Sequence, residues 1–124
     1  LTSIIQRKTV AIVDDDPGMR TAMKQLLSAF GYIVYSYSSA EAFLRAAAAS
    51  KADCLVIDIQ LGDLSGIELA RQLAAGGLAF PLIFMTGSVE ESVEQQAWEL
   101  GCIAYLRKPF SADHLLAAIV KATG

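Results

Sequence analysis

Five short apolar runs, each trailed by an amphipathic stretch of about a dozen residues, leave this chain few folds to choose from. Val10-Ala-Ile-Val13, Ile33-Val-Tyr35, Cys54-Leu-Val-Ile57, Leu82-Ile-Phe-Met85 and Ile103-Ala-Tyr-Leu106 read as strands. Pro17 sits where a first helical turn tolerates proline, ahead of Met19, Ala22, Met23, Leu26, Leu27 and Phe30, and Gly31 is the stop. Ser38-Ser-Ala-Glu41, Ser65-Gly-Ile-Glu68 and Ser88-Val-Glu-Glu91 each have capping-box spacing. They predict helices running to about Ala49, through Leu69, Ala70 and Leu73 to Gly76-Gly77, and through Val89, Val93, Ala97 and Leu100 to Gly101. Ser111 is expected to cap a last helix carrying Leu115, Leu116, Ile119 and Val120. Three of the strands are almost wholly apolar, as parallel strands covered on both faces are. Right-handed crossovers then close them into an α/β, doubly wound sheet.

Composition narrows what such a domain can do. With 124 residues the chain is the size of one domain, and 54% hydrophobic against 19% charged residues excludes disorder. A net charge of -3 with no run of lysines or arginines excludes direct nucleic-acid binding by this domain. No apolar run approaches the ~20 residues that cross a bilayer, so a cytoplasmic protein without membrane contact is expected. Cys54 and Cys102 are far apart, with neither a CxxC nor a neighbouring histidine, and read as buried thiols. The chain opens on Leu1 rather than methionine and ends soon after a helix-like stretch, which fits a segment of a longer protein. Residues 1–124 are read as one domain, and an output domain beyond Gly124 stays open.

In doubly wound sheets, sites form outside the carboxyl ends of the strands. Here the first strand ends in Asp14-Asp15-Asp16, the third in Asp58, the fourth in Thr86 and the fifth in Lys108. One carboxylate after a strand is usually a cap or a solvated turn. Four polar strand ends on one edge are a site. Carboxylates brought together repel and call for a cation, and their hard oxygens suit Mg²⁺, which leaves room for phosphate oxygens beside it. Lys108 and the Thr86 hydroxyl are the donors a phosphoryl group would need. A carboxylate can itself accept that group, and Asp58, alone on a central strand, is the candidate. Asp14 and Asp15, being adjacent, are better placed to share the metal.

V-D-D-D-P-G-M-R at 13–20, V-I-D-I-Q-L at 56–61, M-T-G at 85–87 and Y-L-R-K-P-F at 105–110 together resemble the receiver domain of two-component response regulators. The T-G pair and the L-S-G-I-E-L run are most similar to those of FixJ-type regulators. The resemblance implies a flavodoxin-like (βα)5 fold with strand order 2-1-3-4-5. It also implies that Asp58 takes a phosphoryl group from a sensor histidine kinase or phosphotransfer protein, with the domain a signalling phosphoacceptor that assists its own modification rather than an enzyme. Asp15 and Asp58 would then ligate Mg²⁺ directly, Asp14 through water, and the Gln60 backbone carbonyl would add a ligand. Lys108 would pair with the phosphate, Thr86 would move toward it, and Tyr105 would turn inward, reshaping the face of the fourth helix, fifth strand and fifth helix, through which a homodimer could form. The Lys108–Pro109 bond is expected to be cis, and Gln60 and Ser88 hold positions that resemble those tuning phosphate lifetime. Gly62 departs from a proline common there, which should loosen the loop beside Asp58.

Two other readings compete. Asp14 and Asp16 form an Asp-x-Asp pair followed by Thr86 and Lys108, as in haloacid-dehalogenase-type phosphatases, although that leaves Asp58 without a role. A phosphate-independent receiver-like interaction module is the third. Asp16 and Asp63 read as turn or loop charges and His114 as a surface residue, whereas Trp98, at the edge of the fourth helix's apolar stripe, either packs on a neighbouring helix or anchors a partner.

Overall fold

In the computed structural model, which describes residues 7–124, every apolar run has become a strand and every amphipathic stretch a helix. The domain span read from the sequence begins within residues 1–6, which lie outside the described residues. In chain order the elements are β1 (Thr9–Val13), α1 (Pro17–Ala29), β2 (Ile33–Tyr37), α2 (Ala40–Ala47), β3 (Cys54–Asp58), α3 (Gly66–Ala75), β4 (Leu82–Thr86), α4 (Glu91–Glu99), β5 (Ala104–Arg107) and α5 (Ala112–Thr123). The strands pair in parallel in the order β2-β1-β3-β4-β5, as expected.

Alternate strand residues feed two separate cores, because successive side chains leave opposite faces of a sheet. Ala11, Val13, Leu55, Ile57 and Phe84 pack with Phe43 of α2, Leu69 of α3 and Ala97 of α4. Val10, Ile12, Val56, Ile83 and Met85 pack with Met23 and Leu27 of α1 and Leu115 and Ile119 of α5. Two-sided burial is why β1, β3 and β4 are apolar at successive positions, whereas edge strand β2 exposes Ile33 and Tyr35. Both cysteines are buried, and burial pushes the Cys54 thiol up to about 12 and the Cys102 thiol to about 11, which leaves both unreactive. Among the described residues no helix is long and apolar enough to cross a membrane.

Helix starts follow the sequence in three cases, α1 opening on Pro17, and depart from it in two. Ser65 Oγ accepts from Glu68 N at 3.1 Å and Ser111 Oγ from His114 N at 3.1 Å, as capping requires. At α2 the cap is Ser39 rather than Ser38, its Oγ accepting from Ala42 N at 3.0 Å. The adjacent free amides of Ala40 and Glu41 donate to the Asp63 carboxylate at 3.3 and 3.0 Å, so Asp63 is a second, distant cap. At α4 the box on Ser88 does not form: the Ser88 amide is committed to Thr86 Oγ1, the helix starts at Glu91 without a side-chain cap, and Val89 stays in the loop at 74% exposure. Val120 and Phe30, read from sequence as part of apolar stripes, are exposed. The helix stops hold, with left-handed φ at Gly31, Gly77 and Gly101.

Gly66, the first residue of α3, has a different reason to lack a side chain. A Cβ there would lie 2.5 Å from the Asp58 carbonyl oxygen and 2.8 Å from Ile57 Cγ2. Helix propensity alone says that Gly66→Ala stabilises. The close approach says it destabilises by about 1–3 kcal/mol through overpacking, which urea unfolding resolves. A variant as stable as the wild type would show that α3 can move away from the end of β3.

Asp63 gives a second expectation. The Glu41 amide first, then that of Ala40, hold its carboxyl below the ordinary 3.8. A carboxyl lowered on folding stabilises above its unfolded value, and that stabilisation is lost as pH falls through the folded value. The melting temperature of Asp63→Ala should therefore fall below wild type near pH 7, and the gap should close as pH drops below about 4. A gap independent of pH would assign it to packing.

Candidate functional site

The register of β1 on β3 pairs Val13 with Ile57, so the next residues, Asp14 and Asp58, arrive side by side at the carboxyl edge. Thr86 ends β4, and Lys108 follows β5. Asp14, Asp58 and Thr86 are 0%, 4% and 0% exposed and are the buried polar residues among those described. Lys108 Nζ donates to Asp58 Oδ2 at 2.8 Å and to Asp14 Oδ2 at 3.2 Å. The remaining oxygens accept from the chain itself: Asp14 Oδ1 from Asp16 N and Asp58 Oδ1 from Gln60 N, both at 2.9 Å. Among the described residues no buried side-chain polar atom lacks a partner.

Burial raises the Asp14 carboxyl above the ordinary aspartate value, against the Asp16 amide and the Lys108 ammonium. For Lys108 burial pulls the other way, but hydrogen bonding and charge from Asp58 and Asp14 outweigh it and hold the ammonium above the ordinary lysine range. Asp15 is exposed beside this pair. Asp14, Asp15 and Asp58 each present a carboxylate oxygen within 4.8 Å of the others. Three carboxylates against one ammonium, bonded to two of them, leave negative charge over, and an all-oxygen donor set suits a small hard dication.

The Thr86 hydroxyl is held by residues the sequence reading treated only in passing. Gln60 Nε2 donates to Thr86 Oγ1 at 2.9 Å, Thr86 Oγ1 donates to Gln60 Oε1 at 3.1 Å, and Ser88 N donates to the hydroxyl at 2.9 Å. Tyr105, opposite Phe84 in the β4–β5 register, is half-buried against the core, and burial raises its phenol. The Lys108–Pro109 peptide is cis. Arg20 was not singled out by sequence, yet its NH1 donates to the Asp14 carbonyl at 2.8 Å, an arrangement signalled only by a cation one helical turn past the acidic run. Arg107 pairs with Glu94 Oε1 at 2.6 Å, and the Trp98 indole N–H donates to Glu94 Oε2 at 3.2 Å, with Trp98 48% exposed. The ion pair holds the Glu94 carboxyl low. Asp16 caps α1 by accepting from Gly18 N and Met19 N, and His114 is exposed and outside the site.

Residues 10–120 match the family model described as response regulator receiver domain. The chain is 35% identical over 113 residues to the transcriptional regulatory protein FixJ of Bradyrhizobium diazoefficiens, covering 91% of this chain and 55% of that protein. It is 34% identical over 114 residues to the response regulator protein TmoT of Ectopseudomonas mendocina, covering 92% and 52%. The chain thus spans about half the length of these relatives. The crystal structure of FixJ-N superposes with a TM-score of 0.88 at 34% identity, covering 96% of this chain and 95% of that one. A CheY-like receiver domain protein from Methanospirillum hungatei gives 0.89 at 27% identity, covering 95% and 94%. The chain belongs to the response regulator receiver domain family: it is a receiver, the phosphoacceptor module of two-component signalling. Neither the phosphatase nor the phosphate-independent reading is favoured.

Removing the ammonium should expose the charge imbalance. Lys108→Met leaves two buried carboxylates facing each other, and a loss of about 3–5 kcal/mol is expected in metal-free denaturation. Adding Asp14→Asn, whose amide oxygen can still accept from Asp16 N, should recover part of that loss. A double variant no more stable than Lys108→Met would contradict repulsion as the cause.

Proposed function

We propose that Asp58 is the phosphoacceptor and that its partner is a sensor histidine kinase or phosphotransfer protein carrying phosphohistidine. The supporting observation is the Lys108 ammonium, 2.8 Å from Asp58 Oδ2 and 3.2 Å from Asp14 Oδ2, at the carboxyl edge of the sheet. A carboxylate oxygen of Asp58 forms the new P–O bond as the P–N bond to the imidazole breaks, and the leaving imidazole keeps the electron pair and takes up a proton. Lys108, already beside that carboxylate, stabilises charge on the phosphoryl oxygens without having to be recruited. Asp14, Asp15, Asp58 and the backbone carbonyl of Gln60 would hold Mg²⁺, with Asp14 acting through water. Bound there, the ion would supply positive charge to the phosphoryl oxygens.

Transfer converts the Asp58 carboxylate into an acyl phosphate, which carries more charge and more acceptor oxygens. The Thr86 hydroxyl donates to one of those oxygens, Tyr105 takes the space this vacates, and the surface of α4, β5 and α5 changes. That surface, with Trp98 on it, is where a second copy or an output domain beyond Gly124 would read the state; the domain signals in the cytoplasm and is not an enzyme in its own right.

Intact mass after incubation with acetyl phosphate, with and without Mg²⁺, tests this reading. One phosphoryl group on the wild type, dependent on Mg²⁺ and absent from Asp58→Ala, is expected. Equal addition to both proteins would move the acceptor elsewhere.

A further inference from the structure

The Thr86 hydroxyl has one proton to donate and two lone pairs to accept with. Ser88 N and Gln60 Nε2 occupy the lone pairs, each at 2.9 Å, and the proton faces Gln60 Oε1 at 3.1 Å. The orientation of the Gln60 carboxamide is fixed independently, since Oε1 also accepts from Gly87 N at 3.2 Å. Every hydrogen-bonding position of the hydroxyl is therefore filled before any phosphoryl group arrives. The same residue touches the other end of the site, because Gln60 N donates to Asp58 Oδ1 at 2.9 Å.

We infer that Gln60 is a positioning residue whose side chain latches Thr86 in the unphosphorylated state and competes with a phosphoryl group for the hydroxyl proton. This rests on the reading above, in which phosphorylated Asp58 recruits that hydroxyl. For Thr86 to donate to a phosphoryl oxygen its proton must leave Gln60 Oε1, so the latch opposes the switched state by about the free energy of the bonds it makes. The main-chain link gives the competition a direction. Substituting an Asp58 oxygen removes charge from the acceptor that Gln60 N now contacts, which loosens the loop carrying the latch in the step that supplies its competitor. Gln60 is itself exposed, so truncating it uncovers no core, and Thr86 Oγ1 keeps the Ser88 amide.

Beryllium fluoride with Mg²⁺, a phosphoryl mimic, measures the balance by titration. Gln60→Ala is expected to bind the mimic about three- to tenfold more tightly than the wild type, the fold-change one released neutral hydrogen bond gives. In a Thr86→Ala background the same substitution should give no gain. In ligand-free protein the Gly87 amide should exchange with solvent faster in Gln60→Ala, a readout that needs neither metal nor mimic. Unchanged or weaker binding, an equal gain without the Thr86 hydroxyl, or unaltered Gly87 exchange would overturn the latch. A wild type that does not bind the mimic would instead sink the phosphoacceptor reading and the latch with it, whereas a wild type that binds equally to Gln60→Ala sinks the latch alone.

Discussion

A single ammonium, Lys108 Nζ, sits between two carboxylates that the sheet forces together, and the rest of the site is arranged around that fact. Asp14 and Asp58 are neighbours because β1 and β3 pair with Val13 opposite Ile57, a register set by apolar residues packed on both faces. Neither can retreat to water without breaking that register. Lys108 comes from the far edge strand, across β4, so the charge tie spans most of the sheet. Such a buried cluster is poor evidence of stability, since desolvation offsets most of the attraction. What it secures is position: each carboxylate has one oxygen bonded to a main-chain amide and the other to the ammonium.

From that fixed point the structure softens toward α4. Thr86 accepts from Ser88 N, Gly87 N donates to Gln60 Oε1, and Ser88 Oγ accepts from Glu90 N at 3.3 Å, so the loop before α4 hangs on the strand-end hydroxyl and the carboxamide that holds it. The helix it leads into has no side-chain cap, and Val89 stands in solvent. Segments with exposed backbone hydrogen bonds and few buried contacts open at the lowest free energy. On the other side Arg107, opposite Thr86 in the β4–β5 register, holds Glu94 of α4. Both partners are partly exposed, and ion pairs of that kind contribute little and exchange readily. A shift at Thr86 therefore has to break its bonds to Gln60, and beyond them it meets little resistance from α4.

The strands and the carboxyl-edge site were legible because both are carried by local pattern: apolar runs of strand length, and a polar residue at the end of four of them. Their limits were less so, with β5 displaced by one residue to Ala104–Arg107 and β2 extended to Tyr37. Capping at α2 and α4 depended on long-range competition that spacing does not encode. Asp63 reaches the α2 amides from 22 and 23 positions away, and Thr86 takes the Ser88 amide before a capping box can form. The bonds from the Gln60 side chain to Thr86 were illegible for the same reason, since the two lie 26 positions apart; the position itself drew attention only through the family resemblance.

The two sides of Asp58 differ in stiffness, and that difference gives the site its direction. Behind it Gly66 N donates to the Ile59 carbonyl at 2.9 Å, Ile59 N donates to the Met85 carbonyl at 2.9 Å, and the start of α3 lies so close that no side chain fits. Ahead of it stand the exposed Gln60 carboxamide, one hydroxyl and an uncapped helix. Charge added at Asp58 cannot be relieved by moving the strand or α3, because close-packed backbone does not yield by fractions of an ångström without cost. It would be relieved at Thr86, whose hydroxyl would exchange a neutral bond to Gln60 Oε1 for a charge-assisted bond to a phosphoryl oxygen. A rigid support on one face and exchangeable contacts on the other are what would convert a local change of charge into displacement of one chosen element.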